Sequence, residues 1–165
     1  MILVTGGAGV IGYHVAKALL DRKEFVVIVD NFNPYYDPKL KHARINQLKD
    51  YKKLKVYEAD ISNDEEIGDV FKKHKFKKIC HLAVQAGVRY SIENPSIYEL
   101  WNIKGTLNIL ELAKKHKIKD FVFASSSSVY GRNKIPFSEE DKVDSTLSFY
   151  AVTKITNELS AYAYH

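Results

Sequence analysis

A tyrosine and a lysine four residues apart, Tyr150 and Lys154, lie downstream of a run of four serines, Ser125 to Ser128, that closes an apolar stretch. On a helix that spacing sets both side chains on one face. An ammonium beside a phenol favours the phenolate. Moving a phenol from about 10 to about 7 takes roughly 4 kcal/mol of differential stabilisation, which a lysine and a second positive charge can share. Tyr150 is then a proton acceptor near neutrality, Lys154 its electrostatic partner, and a serine across the site holds the same substrate oxygen. These are the parts needed to take a proton from a hydroxyl. Singly, each also reads as an amphipathic helix or a serine-rich loop; their order after a nucleotide signature gives them weight.

That signature opens the chain. Ile2-Leu3-Val4 leads into Thr5-Gly6-Gly7-Ala8-Gly9-Val10-Ile11-Gly12, and the apolar run Phe25-Val26-Val27-Ile28-Val29 ends at Asp30. Gly6, Gly9 and Gly12, spaced three apart where a strand gives way to a helix, let the backbone turn tightly and approach a pyrophosphate. Val10 and Ile11 add amides at the positive end of that helix. Asp30, with Asn31 beside it, accepts hydrogen bonds from the adenosine ribose. A 2′-phosphate there meets a like charge, so the pattern favours NAD over NADP.

The elements that must position these residues follow from periodicity. The pattern predicts strands at 2–4, 25–30, 54–58, 78–82 and 120–124. It predicts helices at 13–20, 40–50, 66–74, 95–116 and 150–164, the third capped within Ser62-Asn63-Asp64-Glu65. Strands separated by helix-length segments imply right-handed crossovers and a doubly wound, Rossmann-type parallel sheet. Ligands in such sheets sit beyond the carboxyl ends of the strands, where Gly6, Asp30, Asp60, Ala83 and Ser125 to Ser128 all fall. With 165 residues, 45% of them apolar, the chain supports one domain.

Composition excludes other classes. The net charge of +5 comes largely from lysines at helix ends, such as Lys72, Lys73, Lys114 and Lys115, where they complement the helix dipole. No aromatic interleaving accompanies them, which argues against nucleic acid. No apolar run approaches a membrane span and no signal peptide is visible. No metal-binding pattern occurs. The single cysteine, Cys80, reads as a buried strand residue in a reducing, cytoplasmic setting.

The glycine motif, the serine strand end, Val129-Tyr130-Gly131 and Tyr150 to Lys154 resemble the extended short-chain dehydrogenase/reductases that act on nucleotide sugars. More narrowly, the stretches Asp30 to Asp37, Gln85 to Pro95 and Ser125 to Gly131 are similar to UDP-glucuronate 4-epimerases. The resemblance implies that Ser126, Tyr150 and Lys154 are catalytic, with Lys154 also on the nicotinamide ribose. It places Asp60 and Ile61 at the adenine, Leu82, Ala83 and Asn102 along the NAD, and Gln85, Gly87, Arg89, Ser127 and Ser128 near a UDP-sugar. Arg89 either pairs with a carboxylate or phosphate or is a surface or capping arginine. The implied chemistry is transient oxidation at the sugar C4, with Tyr150 as base, and return of hydride to the other face. Relatives that eliminate or decarboxylate carry acids where Ser127 and Ser128 stand. UDP-glucose 4-epimerase is the nearest alternative, and a non-catalytic NAD-binding module is the alternative of another class.

Members of that family are about twice this length, so the resemblance implies that residues 1–165 are the NAD-binding part and that a carboxyl-terminal substrate domain lies outside it. It also implies a homodimer through the 95–116 and 150–165 helices. Trp101, where the family has a small residue, reads as core or subunit interface in preference to a residue that acts on the cofactor pocket.

Overall fold

Five short strands alternate with helices through the chain, and the computed structural model describes all 165 residues. The strands are β1 (Ile2–Thr5), β2 (Val26–Asp30), β3 (Leu54–Glu58), β4 (Lys78–His81) and β5 (Asp120–Phe123). All pair in parallel in the order β3-β2-β1-β4-β5. The chain therefore builds outward from β1 through β2 to β3, then returns to the other side of β1. The crevice between the carboxyl ends of β1 and β4 is the topological switch point at which such sheets bind ligands.

The helices are α1 (Val10–Asp21), α2 (Pro38–Asn46), α3 (Asp64–Lys73), α4 (Val88–Glu93), α5 (Pro95–Tyr98), α6 (Gly105–Lys115) and α7 (Phe149–Tyr164). β1 and β2 are buried at every position because both faces of the sheet are covered. The period of two divides them. Leu3, Val27, Val29 and Ile79 pack against Ile67, Val70 and Phe71 of α3 and Ile109 and Ala113 of α6. Ile2, Val4, Val26 and Ile28 face Tyr13, Ala16 and Leu20 of α1 on the other side. Asn63 caps α3 by accepting from Glu65 and Glu66, whose acidic turn suits the helix's positive end.

The structure differs from the sequence pattern at three places. The single helix expected over 95–116 is interrupted by a π-helical turn, Glu99–Lys104, between α5 and α6. Its i→i+5 bonding inserts a residue into the 3.6 period, which leaves Leu100 and Leu107 exposed while Tyr98, Ile109 and Leu110 are buried. Cys80 is only half-buried, and burial pushes its thiol up. A short helix, α4, forms within Gln85 to Pro95, where no helix is predicted.

Candidate active site

A cleft of about 360 Å³ runs across the carboxyl ends of the strands, with the glycine turn at its middle. Gly6 sits at φ +68°, and a Cβ there would lie 2.7 Å from the Ala83 nitrogen. Gly12 packs still closer, its Cβ position being 2.2 Å from the Gly6 carbonyl oxygen. Gly9 is the N-cap of α1 and offers no capping side chain. The first amides of α1, at Val10, Ile11 and Gly12, are thus left for an anion, with Val10 and Ile11 themselves exposed.

Beneath this turn is a polar knot that sequence reasoning missed. The Thr5 hydroxyl accepts from the backbone amides of Leu82 and Ala83, both at 3.1 Å, so its proton goes to His81 Nδ1 at 2.7 Å. His81 is then the Nε2–H tautomer and donates to Thr106 Oγ1 at 3.0 Å. Burial, aided by Lys154, pushes the imidazole down to about 3, so it stays neutral. The knot ties β1, β4 and α6 together at the switch point.

One end of the cleft is lined by Asp30 and Asn31 with Ala59 and Ile61. Asp30 is buried, accepts from the amides of Ala8 and Phe32, and pairs with Lys41 at 3.1 Å. Lys41 is the one buried residue of α2. Arg44, a turn later, donates to the Ala8 carbonyl and the Tyr36 hydroxyl. Asp60 stands just behind the lining, held by Asn31, Ser62 and Trp101. Trp101 is not the core residue preferred from the sequence: it is half-buried, lines the cleft as the alternative reading has it, and donates its indole N–H to Asp60 at 3.0 Å. The residue is carried there by the π turn.

At the other end Tyr150 and Lys154 share a face of α7, whose N-cap Ser148 accepts from Ala151. The Lys154 Nζ lies 5.8 Å from the Tyr150 ring centroid and donates to the Ala124 carbonyl at 2.8 Å. Burial pushes the lysine down to about 8. Tyr150 is anchored through its backbone, its amide donating to Ser91 Oγ at 3.1 Å. Leu82, Ala83, Gln85 and Ser125 complete this end; Ser125, the one serine of the run that lines the cleft, donates to Glu158.

The remaining predicted residues are placed differently. Asn102 is fully buried behind the cleft; it accepts from the Gln85 amide and donates to the Gln85 carbonyl and Thr153, so it positions the loop. Gly87 has φ +105°, with the Tyr35 hydroxyl 2.7 Å from where a Cβ would be. Arg89 is exposed on α4. Ser126 caps the 3₁₀ turn Ser127–Tyr130 by accepting from the Ser128 amide, and neither it, Ser127 nor Ser128 lines the cleft.

Comparison with known proteins agrees with this architecture. An uncharacterised protein of Methanocaldococcus jannaschii is 49% identical over 167 residues, covering 99% of this chain and 51% of the relative. A UDP-glucuronate 4-epimerase of Thermodesulfobacterium geofontis is 47% identical over 163 residues, covering 99% and 50%. Among solved structures, the UDP-glucuronic acid 4-epimerase of Bacillus cereus, in complex with UDP-glucuronic acid and NAD, superposes with a TM-score of 0.90 at 34% identity, covering 99% of this chain and 52% of that one. The chain thus spans about half the length of these relatives. The sequence pattern of the GDP-mannose 4,6 dehydratase family matches residues 3–165, and with the glycine turn, the parallel sheet and the Tyr150–Lys154 pair in place, the chain belongs to that family.

Proposed function

We propose that this chain is the coenzyme-binding and proton-transferring half of an NAD-dependent nucleotide-sugar 4-epimerase acting on UDP-glucuronate. The observation that carries the reading is a single cleft with the Tyr150–Lys154 pair at one end, Asp30 at the other and an uncapped helix start between them. The donor set fits a dinucleotide. Amides at Val10, Ile11 and Gly12 take the pyrophosphate, Asp30 the adenosine ribose, Asp60 and Ile61 the adenine, and Lys154 the second ribose. NAD, when bound, supplies a reversible hydride acceptor beside Tyr150.

The chain's own residues then move and hold the proton. Tyr150 takes it from the sugar 4-hydroxyl and returns it, and the Lys154 ammonium favours the phenolate. Ser126 uses its oxygen to accept from Ser128 and keeps its O–H to hold the same substrate oxygen. Turning the keto sugar over before reduction inverts C4. Gln85 and Gly87 border the sugar, and Arg89 faces a carboxylate or phosphate of the substrate. The rest of the full-length protein grips the substrate's nucleotide. The helical stretches 95–116 and 150–165, which expose Leu100, Leu107, Leu159 and Tyr162, form a homodimer contact. The setting is cytoplasmic.

Proton NMR of UDP-glucuronate incubated with NAD and the full-length protein tests this. The anomeric signal of UDP-galacturonate appears with the wild type and is lost with Tyr150→Phe. Full turnover by that variant defeats the tyrosine assignment, and turnover of UDP-glucose in place of UDP-glucuronate reassigns the substrate.

A further inference from the structure

We propose that Trp101 is the adenine-side wall of the coenzyme cleft and sets the affinity for that ring; the proposal rests on the NAD-binding reading above. Trp101 belongs to the crossover between β4 and β5, yet its indole reaches back across the cleft to the end of β3, where Nε1 donates to Asp60 Oδ2 at 3.0 Å. The π turn makes this reach possible. Successive residues point to opposite tasks, Asn102 clamping Gln85 at the reaction end and Trp101 meeting Asp60 at the far end.

Asp60 is a fixed anchor for the indole. Its Oδ2 also accepts from Asn31 at 3.0 Å, and its Oδ1 accepts from the Ser62 amide and hydroxyl at 2.8 and 2.6 Å. A carboxylate has about four lone-pair sites, so all are occupied. Burial works to raise this carboxyl, but the bonds from Ser62, Asn31 and Trp101 prevail and hold it below its ordinary value. An adenine amino group that reaches Asp60 shares it with these donors. The surface that faces the ring is the indole itself, half-buried and lining the cleft beside Ala59 and Ile61. An aromatic plane and two aliphatic side chains suit a flat heteroaromatic ring, and stacking of this kind carries substantial base affinity.

The chain has one tryptophan beside eleven tyrosines, so emission excited beyond the tyrosine absorption band reports this wall alone. Titration with NAD should quench or shift the emission, with a midpoint matching the calorimetric Kd. AMP, which carries only the adenine end, should give the same spectral change at concentrations where calorimetry shows it bound. Trp101→Ser should weaken both NAD and AMP about tenfold. Trp101→Phe, which keeps a ring and loses the N–H, should fall between wild type and Trp101→Ser, and circular dichroism checks that each variant is folded. NAD or AMP bound with unmoved emission, or a folded Trp101→Ser with wild-type affinity for both, overturns the proposal. Absence of any calorimetric binding of NAD by the folded wild-type chain overturns the NAD-binding reading as well, and is a distinct result.

Discussion

The two ends of the cleft are held by opposite means. At the end proposed for the adenosine, side chains engage one another: Asp30 with Lys41, and Asp60 with Asn31, Ser62 and Trp101. At the end proposed for the reaction, each bond that holds a group proposed for chemistry has a backbone atom on one side. Tyr150 is fixed by its amide on Ser91, Lys154 gives a single bond to the Ala124 carbonyl, and Ser126 is held as an acceptor. A binding surface gains from side chains already locked in place, because less freedom is lost when the ligand arrives. A reacting site needs its donors and acceptors free for the substrate, so rigidity has to come from the backbone beneath. The glycine turn joins the two ends.

The turn is therefore the most sensitive point of the cleft. Gly12→Ala places a methyl 2.2 Å from the Gly6 carbonyl oxygen, and overpacking of this kind costs about 1–3 kcal/mol. Because the displaced atoms frame the anion site, NAD affinity should fall about a hundredfold by calorimetry. Retained affinity would mean that the turn is not where the pyrophosphate sits.

Side chains that lock the end proposed for the adenosine should also show in stability. Lys41→Met leaves the Asp30 carboxylate buried without its cation, and loss of one partner of a buried pair costs about 3–5 kcal/mol. Asp30→Asn in the same chain should recover part of the loss in urea unfolding, because the amide carries no charge to compensate, while its nitrogen gives up one of the bonds from Ala8 and Phe32. A loss below about 1 kcal/mol for Lys41→Met would show that α2 is held by Arg44 instead.

These two residues also mark what the sequence makes legible. Gly6, Gly12, Asp30, Tyr150 and Lys154 stand out because turn geometry, strand ends and helix faces fix their spacing locally, and the five-stranded parallel order follows from the same alternation. Lys41 does not stand out: it lies in a polar helix that reads as surface, and its partner is eleven residues away across a loop. Thr5, His81 and Thr106 meet across 76 and 25 residues, a polar contact with no period to reveal it. Trp101 is hidden by the π turn, which breaks the repeat used to assign helix faces. The available clue for Lys41 is the acid that ends an apolar strand, since a carboxylate buried there requires a partner.

The polar knot under the turn adds a pH dependence. His81 titrates near 6.5 when unfolded and is held down to about 3 in the fold. Between those values the unfolded chain binds the extra proton, so this contribution is complete above pH 6.5 and is lost as the pH falls toward 3. At pH 5 the loss amounts to about 2 kcal/mol relative to pH 7.5. Urea midpoints measured at the two pH values should separate more for the wild type than for His81→Gln. Equal separation would remove His81 from the knot's account of acid sensitivity.

The smallest effect falls on Ser126 and bears most directly on the contrast between the two ends. As a cap, its oxygen accepts from the Ser128 amide at 3.2 Å at the start of a four-residue 3₁₀ turn, and removing such a bond costs about 1 kcal/mol. As a substrate ligand it donates through the remaining O–H, a neutral hydrogen bond whose loss corresponds to about tenfold in turnover. Ser126→Ala should therefore lower both stability and the turnover of the full-length protein by these modest amounts, whereas Ser126→Thr keeps the hydroxyl and restores both. Lost stability with unchanged turnover would leave Ser126 as a cap alone and move the substrate-holding role to another serine. Ser125, which already lines the cleft, is the one whose replacement by Ala should then slow turnover.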